Sequence, residues 1–257
     1  MLKSGRIIMK KNKFFENKHV LITGAGSGIG YQIAKDFLDL GSNVAIHYNK
    51  NLTGAKKLFR YGNQNKCKIF KADLSKTKEI SKLWNNYLKW SKKKIDILVN
   101  NAAYVRPMEF TKLSSNEWDK TLFINLKAAF LLSQSAFKIM SKKKSGRVIN
   151  ISSGGWQYGG GSKTVHYSVS KAAIEALTIA TAKLGAKDKI LVNSIRPGAT
   201  KTNFHKKMGR TNLIKRAKLV PLKRMAEPYE ISNAVIFLCS EKSSFITNSI
   251  IDVRGGE

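Results

Sequence analysis

Short apolar runs alternate with longer amphipathic stretches along the chain from residue 19 onward. A run of about four to eight apolar residues between turn residues is typical of a strand buried on both faces. Apolar residues three and four positions apart indicate a helix, as at Ile29, Ile33 and Phe37, where Gly41 ends the pattern. We predict strands over residues 19–23, 43–48, 66–71, 95–100, 147–152, 190–195 and 249–253. We predict helices over residues 28–40, 52–61, 78–90, 116–140, 165–184 and 228–239.

This alternation predicts the α/β fold class. Parallel strands need a crossover connection, which is usually a helix and almost always right-handed. We therefore predict a single-domain, doubly wound Rossmann fold, with a parallel sheet of about seven strands and helices on both faces. The 257 residues suit one such domain, and no repeat or linker divides them.

Two segments lie outside the alternation. Residues 1–18 are basic and short of apolar residues, so we predict an N-terminal tail and a domain over residues 19–257. Residues 202–220 are very basic and less periodic, and we predict that they form a mobile lid over the substrate.

The net charge of +31 is the unusual feature of the composition. A strong positive field attracts nucleic acid, anionic membranes and acidic proteins. The cations, however, are 38 lysines and 9 arginines spread along the whole chain, without a groove-reading motif. We predict no specific nucleic-acid partner, and no membrane partner because no apolar run approaches the ~18 residues of a membrane span. Cys67 and Cys239 lack metal-ligand spacing and indicate a reduced, cytoplasmic protein without a metal site.

The first predicted turn has the form of a phosphate-binding loop. Residues 23–30, T-G-A-G-S-G-I-G, follow the first strand and open the first helix. Glycines let the backbone approach a pyrophosphate, and the helix N-terminus offers free N–H groups and a positive dipole end. We predict that a dinucleotide contacts Gly24, Ser27, Gly28, Ile29 and Gly30.

The end of the second strand carries no acid that would bind a ribose 2′-hydroxyl. Tyr48, Asn49 and Lys50 stand there instead, and without a carboxylate a 2′-phosphate is not repelled. We predict that these residues bind the cofactor and that NADP is preferred. Some use of NAD is expected, because Ser27 leaves the glycine-rich turn without a basic residue. Lys50 is equally well explained as one more surface lysine.

Two further strand ends supply candidate cofactor contacts. Asp73 and Leu74 follow the third strand, where the carboxylate can accept a hydrogen bond from an adenine amine or serve as a turn or capping residue. Asn101 and Ala102 follow the fourth strand and would place small side chains against the cofactor.

Tyr167 and Lys171 share one face of a predicted helix. A free phenol has a pKa of about 10, and a nearby ammonium favours its ionised form. Such a tyrosine can exchange a proton with an alcohol or carbonyl oxygen, which is the step that accompanies hydride transfer. Ser153 ends the fifth strand and can hydrogen-bond the same oxygen, and Ser152 is the alternative.

Taken together, these motifs resemble those of the short-chain dehydrogenase/reductase family from His19 onward. The matching segments are residues 23–30, Asp73, residues 100–103 (N-N-A-A), Asn125 within I-N-L, residues 151–153 (I-S-S), residues 167–171 (Y-S-V-S-K) and residues 196–202 (R-P-G-A-T-K-T). Within the family the pattern is most similar to 3-oxoacyl-acyl-carrier-protein reductases.

The resemblance implies a role for each residue. Tyr167 would be the acid–base group, Lys171 would lower its pKa and bind the nicotinamide ribose, and Ser153 would polarise the carbonyl. Asn125 would hold a water that relays protons to Lys171. The resemblance also implies cofactor contacts at Pro197, Gly198, Thr200 and Thr202.

The chain departs from the family pattern at several places. Ala103 and Asn248 stand where Gly is common, and Arg254 stands where Asp is common. The interval from Ser153 to Tyr167 is one residue longer than usual. A homotetramer or homodimer built on the two long helices is implied, and the changes at Asn248 and Arg254 fall where subunits usually pack.

We predict an NAD(P)-dependent oxidoreductase that transfers a hydride between a nicotinamide cofactor and a carbonyl or secondary alcohol. One alternative substrate is a 3-oxoacyl thioester, and a positive surface would suit an acidic acyl carrier protein that carries it. The other is a sugar, a polyol or a small alcohol, and the sequence does not separate the two. A non-catalytic binding protein on the same fold is a remote alternative.

Overall fold

The computed structural model describes residues 14–209 and 212–257, which contain one seven-stranded sheet. The strands are β1 (His19–Ile22), β2 (Asn43–Tyr48), β3 (Cys67–Lys71), β4 (Ile97–Asn100), β5 (Gly146–Ile151), β6 (Ile190–Pro197) and β7 (Ile250–Val253). All neighbouring strands pair in parallel, in the order β3-β2-β1-β4-β5-β6-β7. The chain order reverses between β1 and β4, and ligands of doubly wound sheets bind in the crevice that this reversal opens.

Helices connect the strands and cover both faces of the sheet. They are α1 (Gly28–Asp39), α2 (Leu52–Tyr61), α3 (Thr77–Trp90), α4 (Ser115–Leu122), α5 (Ala128–Met140), α6 (Val165–Ala186), α7 (Phe204–Lys207), α8 (Leu213–Leu219) and α9 (Pro228–Cys239). A π-helical turn, Phe123–Lys127, joins α4 to α5, and a 3₁₀ turn, Gly154–Tyr158, follows β5.

The sheet separates two apolar cores. Successive residues of a strand point to opposite faces, so Val20 and Ile22 belong to one buried cluster and Leu21 to the other. The first cluster includes Phe37 of α1, together with residues of α2 and α9. The second includes Leu132 of α5, together with residues of α3 and α6. Two buried faces explain why the strands are apolar at nearly every position.

The predicted fold class, the seven parallel strands and the helices on both faces are confirmed. The predicted helix over residues 116–140 is one continuous helical stretch, in which a π-helical turn, Phe123–Lys127, lies between α4 and α5. The predicted lid, residues 202–220, contains two short helices of four and seven residues. Helices this short contain too few turns for a periodic pattern to be recognised. The mobility of the lid stays a prediction.

One helical stretch in the described part of the chain, Ser115–Met140, is long and apolar enough by composition to cross a membrane. Leu132, Ala136 and Met140 of this stretch belong to the buried cluster of the second core. A core helix of an α/β domain passes the same test of length and hydropathy.

Residues 14–18, which belong to the predicted N-terminal tail, pack on the domain. Phe15 is 1% exposed, and its ring lies edge-on to Phe37 with a centroid distance of 5.6 Å. The Ser42 hydroxyl donates a hydrogen bond to the Phe15 carbonyl over 2.8 Å. Two aromatic residues among lysines and asparagines form too short a pattern for a sequence-based prediction. The rest of the predicted tail, residues 1–13, lies outside the described residues.

Replacing Phe15 with Ala tests whether this segment belongs to the domain. The substitution removes a buried ring, so we expect the free energy of unfolding to fall by about 3–5 kcal/mol. Phe245→Ala is the matched control, because Phe245 is 100% exposed and its loss should change stability by about 0.5 kcal/mol or less. Urea unfolding measures both variants. Equal, small changes would show that residues 14–18 do not stabilise the domain.

Candidate active site

Among the described residues, one large cavity of about 1140 Å³ opens where the parallel strands end. All but two of the predicted site residues line it: Gly24, Ser27, Gly28, Ile29, Tyr48, Asn49, Lys50, Asp73, Leu74, Asn101, Ala102, Ser153, Tyr167, Lys171, Pro197, Gly198, Thr200 and Thr202. The two exceptions are Gly30 and Asn125. In residues 14–209 and 212–257, no group of three or more His, Cys, Asp or Glu side chains is placed to hold a metal ion.

The glycine-rich turn after β1 lies against the end of β4. Gly24 has a φ of +66°, and a Cβ there would lie 2.9 Å from the Ala102 Cα. A Cβ on Gly30 would lie 2.3 Å from the Asn101 Nδ2. Both glycines are therefore required for close packing. Gly30, which the sequence predicts as a cofactor contact, does not line the cavity. It packs α1 against the Asn101 side chain instead.

The first turn of α1 fits a pyrophosphate. Ser27 is the N-cap residue, and its side chain makes no capping hydrogen bond to the helix. The first N–H groups of a helix have no partner within the helix, and the dipole is positive at this end. Gly28 has a φ of +59°, a conformation that favours glycine. An anionic diphosphate therefore fits here, and Ser27, Gly28 and Ile29 would contact it.

Asn51 joins the glycine-rich turn to α2, a contact that the sequence analysis missed. Its Nδ2 donates to the Gly26 carbonyl over 2.8 Å, and its Oδ1 accepts the Gly54 N–H over 3.0 Å. A Cβ on Gly54 would lie only 1.9 Å from the Gly26 oxygen. Asn51 caps α2, so the asparagine just before a predicted helix was the available signal.

His47 supports the same turn from β2, and the sequence analysis also missed it. Its Nδ1 accepts the Gly24 N–H over 3.0 Å, so Nε2 carries the proton and donates to the Ala72 carbonyl over 3.1 Å. Burial lowers the pKa of His47 to about 4, and the bond to Ala72 opposes this only in part. The ring is therefore neutral at physiological pH and held in one tautomer.

Asp73 lies in the cavity beside Asn49 and is held by a turn. Its Oδ1 accepts hydrogen bonds from the Ser75 N–H over 3.0 Å and the Ser75 hydroxyl over 2.8 Å, and the Asn49 Nδ2 lies 3.5 Å away. Burial acts to raise the pKa of Asp73, but the hydrogen bonds from Ser75 and the charges of Lys76 and Lys120 outweigh it. The net pKa is lowered, so Asp73 is an ionised acceptor.

Tyr167 and Lys171 lie one turn apart on α6 and both face the cavity. The Lys171 Nζ donates to the Ile151 carbonyl at the end of β5 over 2.6 Å and lies 5.8 Å from the centre of the Tyr167 ring. Burial lowers the pKa of Lys171 to about 8, and the nearby Glu175 carboxylate acts in the opposite direction. The Tyr167 ring packs against Phe204 with a centroid distance of 5.6 Å.

The structure separates the two candidate serines. The Ser152 hydroxyl is buried and directed at Glu175 Oε1, at 2.5 Å, and at the Lys171 carbonyl, at 3.0 Å. The Ser153 Oγ accepts the Gly155 N–H over 3.3 Å, which leaves its own proton for a ligand. The geometry therefore favours Ser153 as the hydroxyl that contacts a substrate oxygen.

Asn125 lies in the π-helical turn, behind the cavity wall. Its Nδ2 donates to the Tyr104 carbonyl and the Ser170 hydroxyl, both over 2.9 Å, and its Oδ1 accepts the Tyr104 N–H over 2.7 Å. Both amide protons are therefore used within the protein. The Asn125 side chain holds the loop at Tyr104. A water in the predicted position would therefore bind the second lone pair of Oδ1 or the Asn125 backbone.

Part of the segment predicted as a lid, residues 202–220, lines the cavity. Thr202, Phe204 and Arg216 from this segment line its wall. Arg216 forms an ion pair with Glu257. The Glu257 Oε2 accepts the Ala199 N–H over 3.3 Å. The α8 helix is thus joined to the loop that follows β6.

Fold and site together define a class of protein, the Rossmann-fold oxidoreductases that use a nicotinamide cofactor. The family model adh_short_C2, described as "Enoyl-(Acyl carrier protein) reductase", matches residues 24–257. A solved structure described as a "short chain dehydrogenase/reductase family protein" superposes with a TM-score of 0.82. It is 28% identical in sequence, and the match covers 95% of this chain and 98% of that one. The chain belongs to the short-chain dehydrogenase/reductase family.

Two relatives of known description match almost the full length. The chain is 35% identical over 241 residues to the 3-oxoacyl-[acyl-carrier-protein] reductase FabG of Buchnera aphidicola subsp. Schizaphis graminum. The match covers 94% of this chain and 97% of that relative. It is 33% identical over 248 residues to the acetoacetyl-CoA reductase of an Acinetobacter species. That match covers 94% of this chain and 98% of the relative.

The Lys171 pKa predicts a pH dependence. As the pH rises through about 8, the buried ammonium loses its proton and no longer favours the ionised form of Tyr167. The value of kcat/KM for the reduced cofactor reports groups of the free enzyme. We expect it to fall about tenfold per pH unit above the Lys171 pKa.

Lys171→Arg is the control for this pH profile, because a guanidinium stays charged across the range. We expect this variant to lack the decline that begins near pH 8, even where its overall rate is lower. A wild-type profile that stays flat to about pH 9.5 would contradict a role for the Lys171 charge.

Proposed function

We propose that this protein reduces 3-oxoacyl thioesters to 3-hydroxyacyl thioesters with NADPH as the hydride donor. The observation that carries the proposal is the shared cavity. Ser153, Tyr167 and Lys171 face its substrate side, and the open first turn of α1 faces the same space. A carbonyl oxygen placed between the Ser153 and Tyr167 hydroxyls would accept a hydrogen bond from each of them.

Each of the three residues has a distinct part in the reaction. NADPH supplies a hydride to the carbonyl carbon when it is bound. Ser153 donates a hydrogen bond to the carbonyl oxygen, where negative charge develops. Tyr167 gives its phenolic proton to that oxygen, and the Lys171 ammonium makes Tyr167 a stronger acid. The hydrogen bond from the Lys171 Nζ to the Ile151 carbonyl holds the ammonium near the Tyr167 ring, 5.8 Å from its centre.

The preference for NADPH is supported by the charge at the end of β2. Tyr48, Asn49 and Lys50 line the cavity there, and none of them is an acid. Lys50 is exposed, so it can turn toward a 2′-phosphate. Lys120 also lies close enough to Asp73 to lower its pKa. Lys50 and Lys120 both line the cavity with Asp73, so the cations outnumber the single carboxylate there, which favours a cofactor with an additional phosphate.

The choice of a 3-oxoacyl thioester is supported by the relatives. The Buchnera relative is named for 3-oxoacyl-[acyl-carrier-protein] and the Acinetobacter relative for acetoacetyl-CoA. An acyl carrier protein is the proposed partner, and the net charge of +31 suits an acidic protein. The description of the family model names an enoyl reductase instead. Ser153 and Tyr167 suit a 3-oxo group, because reduction of that group places a proton on the oxygen of the carbon that receives the hydride.

We further propose a homotetramer or homodimer in the cytoplasm. The long helices α5 and α6 expose large apolar side chains, which favours a contact between subunits: Phe130 is 43% exposed, Val169 41% and Leu184 65%. Cys67 and Cys239 are both free and buried, as suits a reducing compartment.

The first test is NADPH oxidation with an acetoacetyl thioester, for the wild type beside Tyr167→Phe. We expect rapid turnover in the wild type and a loss of about 10²–10⁴-fold in the variant, because the variant has no proton to donate. Tyr229→Phe, on α9 outside the cavity, is the matched control. Unchanged turnover in Tyr167→Phe would contradict the mechanism, and binding of cofactor without turnover of any alcohol or carbonyl would favour a non-catalytic protein.

The same assay separates the alternative substrates. An enoyl thioester that reacts faster than the acetoacetyl thioester would favour the activity named in the family description. Turnover restricted to sugars, polyols or small alcohols would favour the other dehydrogenase function.

The proposed cofactor preference has its own test. In Lys50→Glu, a carboxylate would face the 2′-phosphate, so we expect the Kd for NADPH to rise about tenfold at low salt while the Kd for NADH changes little. Lys57→Glu, an exposed lysine of α2 outside the cavity, controls for net charge. Tighter binding of NADH than of NADPH by the wild type would overturn the preference.

A further inference from the structure

Four charged side chains of alternating sign cross the substrate side of the fold. The Arg196 Nε and Nη2 donate to the Glu175 carboxylate over 2.9 and 2.6 Å. The Arg196 Nη1 donates to both oxygens of Asp252 over 3.1 and 3.2 Å. The Arg254 Nε lies 2.8 Å from the Asp252 Oδ1 as an ion pair. We call Glu175, Arg196, Asp252 and Arg254 the charge chain.

Both ends of the charge chain hold the 3₁₀ turn Gly154–Tyr158, which follows Ser153. At one end, the Trp156 Nε1 donates to the Glu175 Oε1 over 2.8 Å. At the other end, the Arg254 Nη1 donates to the Gln157 Oε1 over 2.6 Å. Two successive side chains of the turn are therefore fixed to opposite ends of one network.

The turn and the charge chain also fit each other in shape. A Cβ on Gly154 would lie 2.4 Å from the Arg254 Cδ, so the arginine stem lies flat against the turn. The Arg196 guanidinium lies over the Trp156 ring, 5.4 Å from its centre. Arg254 itself is part of the cavity wall, next to the residues that follow Ser153.

Stability alone does not account for such a network. Glu175 and Arg196 are 4% and 8% exposed, and burying two charges costs about as much free energy as their attraction returns. Apolar residues of similar volume would fill the same space without that cost. Two-point hydrogen bonds of a planar guanidinium instead supply direction and fixed geometry.

We propose that Arg254 is a positioning residue for carbonyl reduction, which holds the Gly154–Tyr158 turn through Gln157 and so fixes the Ser153 hydroxyl against the substrate. This inference rests on the proposed function. Release of the turn would displace the hydroxyl, and a small misplacement of a catalytic group lowers the rate although the groups themselves remain. The glycine-rich turn lies elsewhere in the cavity, so cofactor affinity would not change.

The test compares Arg254→Ala, Gln157→Ala and the double variant. Both single changes remove the hydrogen bond between Arg254 and Gln157, and Arg254→Ala also removes the ion pair with Asp252. We expect each to lower kcat/KM for the carbonyl substrate about five- to tenfold, and the double variant to be no worse than Arg254→Ala. We expect the Kd for NADPH to stay at the wild-type value in all three, and the Tm to stay there in Gln157→Ala. Arg224→Ala is the matched control, because Arg224 pairs with Glu230 outside the cavity. It should retain full activity.

Two further measurements separate positioning from a general structural effect. Arg254→Lys keeps the charge beside Asp252 but has no planar fork that reaches Asp252 with one nitrogen and Gln157 with another, so we expect it to restore little activity. Amide hydrogen exchange should accelerate in Gly154–Tyr158 in both single variants and nowhere else. This readout needs no substrate, so it stands even where the thioester proves to be the wrong substrate.

The inference is overturned by any of four results, three of them from the alanine variants. These are full activity in Arg254→Ala, strictly additive losses in the double variant, or unchanged hydrogen exchange in Gly154–Tyr158. Full rescue by Arg254→Lys would overturn it as well, because charge alone would then be sufficient.

Discussion

The cofactor side of the cavity depends on how closely the turn after β1 approaches the turn after β4. The Thr23 hydroxyl oxygen accepts the backbone N–H groups of both Asn101 and Ala102 over 3.0 Å. Gly24 and Gly30 carry no Cβ at the points where one would overlap these residues. Because the two turns meet, α1 starts at the crevice of the sheet with its first N–H groups open to the cavity. Any larger side chain at this contact would move α1 and close the place that a pyrophosphate needs.

The chemistry is then assembled on one face of α6. Tyr167, Lys171 and Glu175 are four residues apart, so they form a single row along the helix. The row lies against the end of β5, where the Ile151 carbonyl accepts a hydrogen bond from the Lys171 ammonium. Burial favours a neutral lysine, and Glu175 opposes this. Glu175 in turn stays ionised because Arg196 and its other donors outweigh the effect of burial on its own pKa. The charge of Lys171 is therefore linked to the buried ion pair between Glu175 and Arg196.

The elements that the sequence predicted correctly are those with local signals. Strands buried on both faces, long amphipathic helices and the glycine-rich turn each depend on residues close together in the chain. The contacts that were missed join distant segments. Position 54 must be a glycine because a Cβ there would overlap the Gly26 carbonyl oxygen. Arg254 and Gln157, which form a hydrogen bond, are 97 positions apart in the chain. The change to Asn248 is explained by its φ of +61°, a conformation that asparagine tolerates almost as glycine does. Pattern alone does not show which pairs of such residues meet.

The distribution of acidic residues adds to this picture. The chain has 47 basic and only 16 acidic residues, so most of its cations have no carboxylate to pair with. In spite of this shortage, three of the acids lie along the cavity side of the fold, each paired with an arginine: Glu175 and Asp252 with Arg196, and Glu257 with Arg216. A buried pair such as Glu175–Arg196 returns about as much free energy as its burial costs, which gives little reason to place scarce acids by stability alone. Their placement beside the Gly154–Tyr158 turn and the predicted lid favours a local role, in which negative charge orients the arginines that line the cavity.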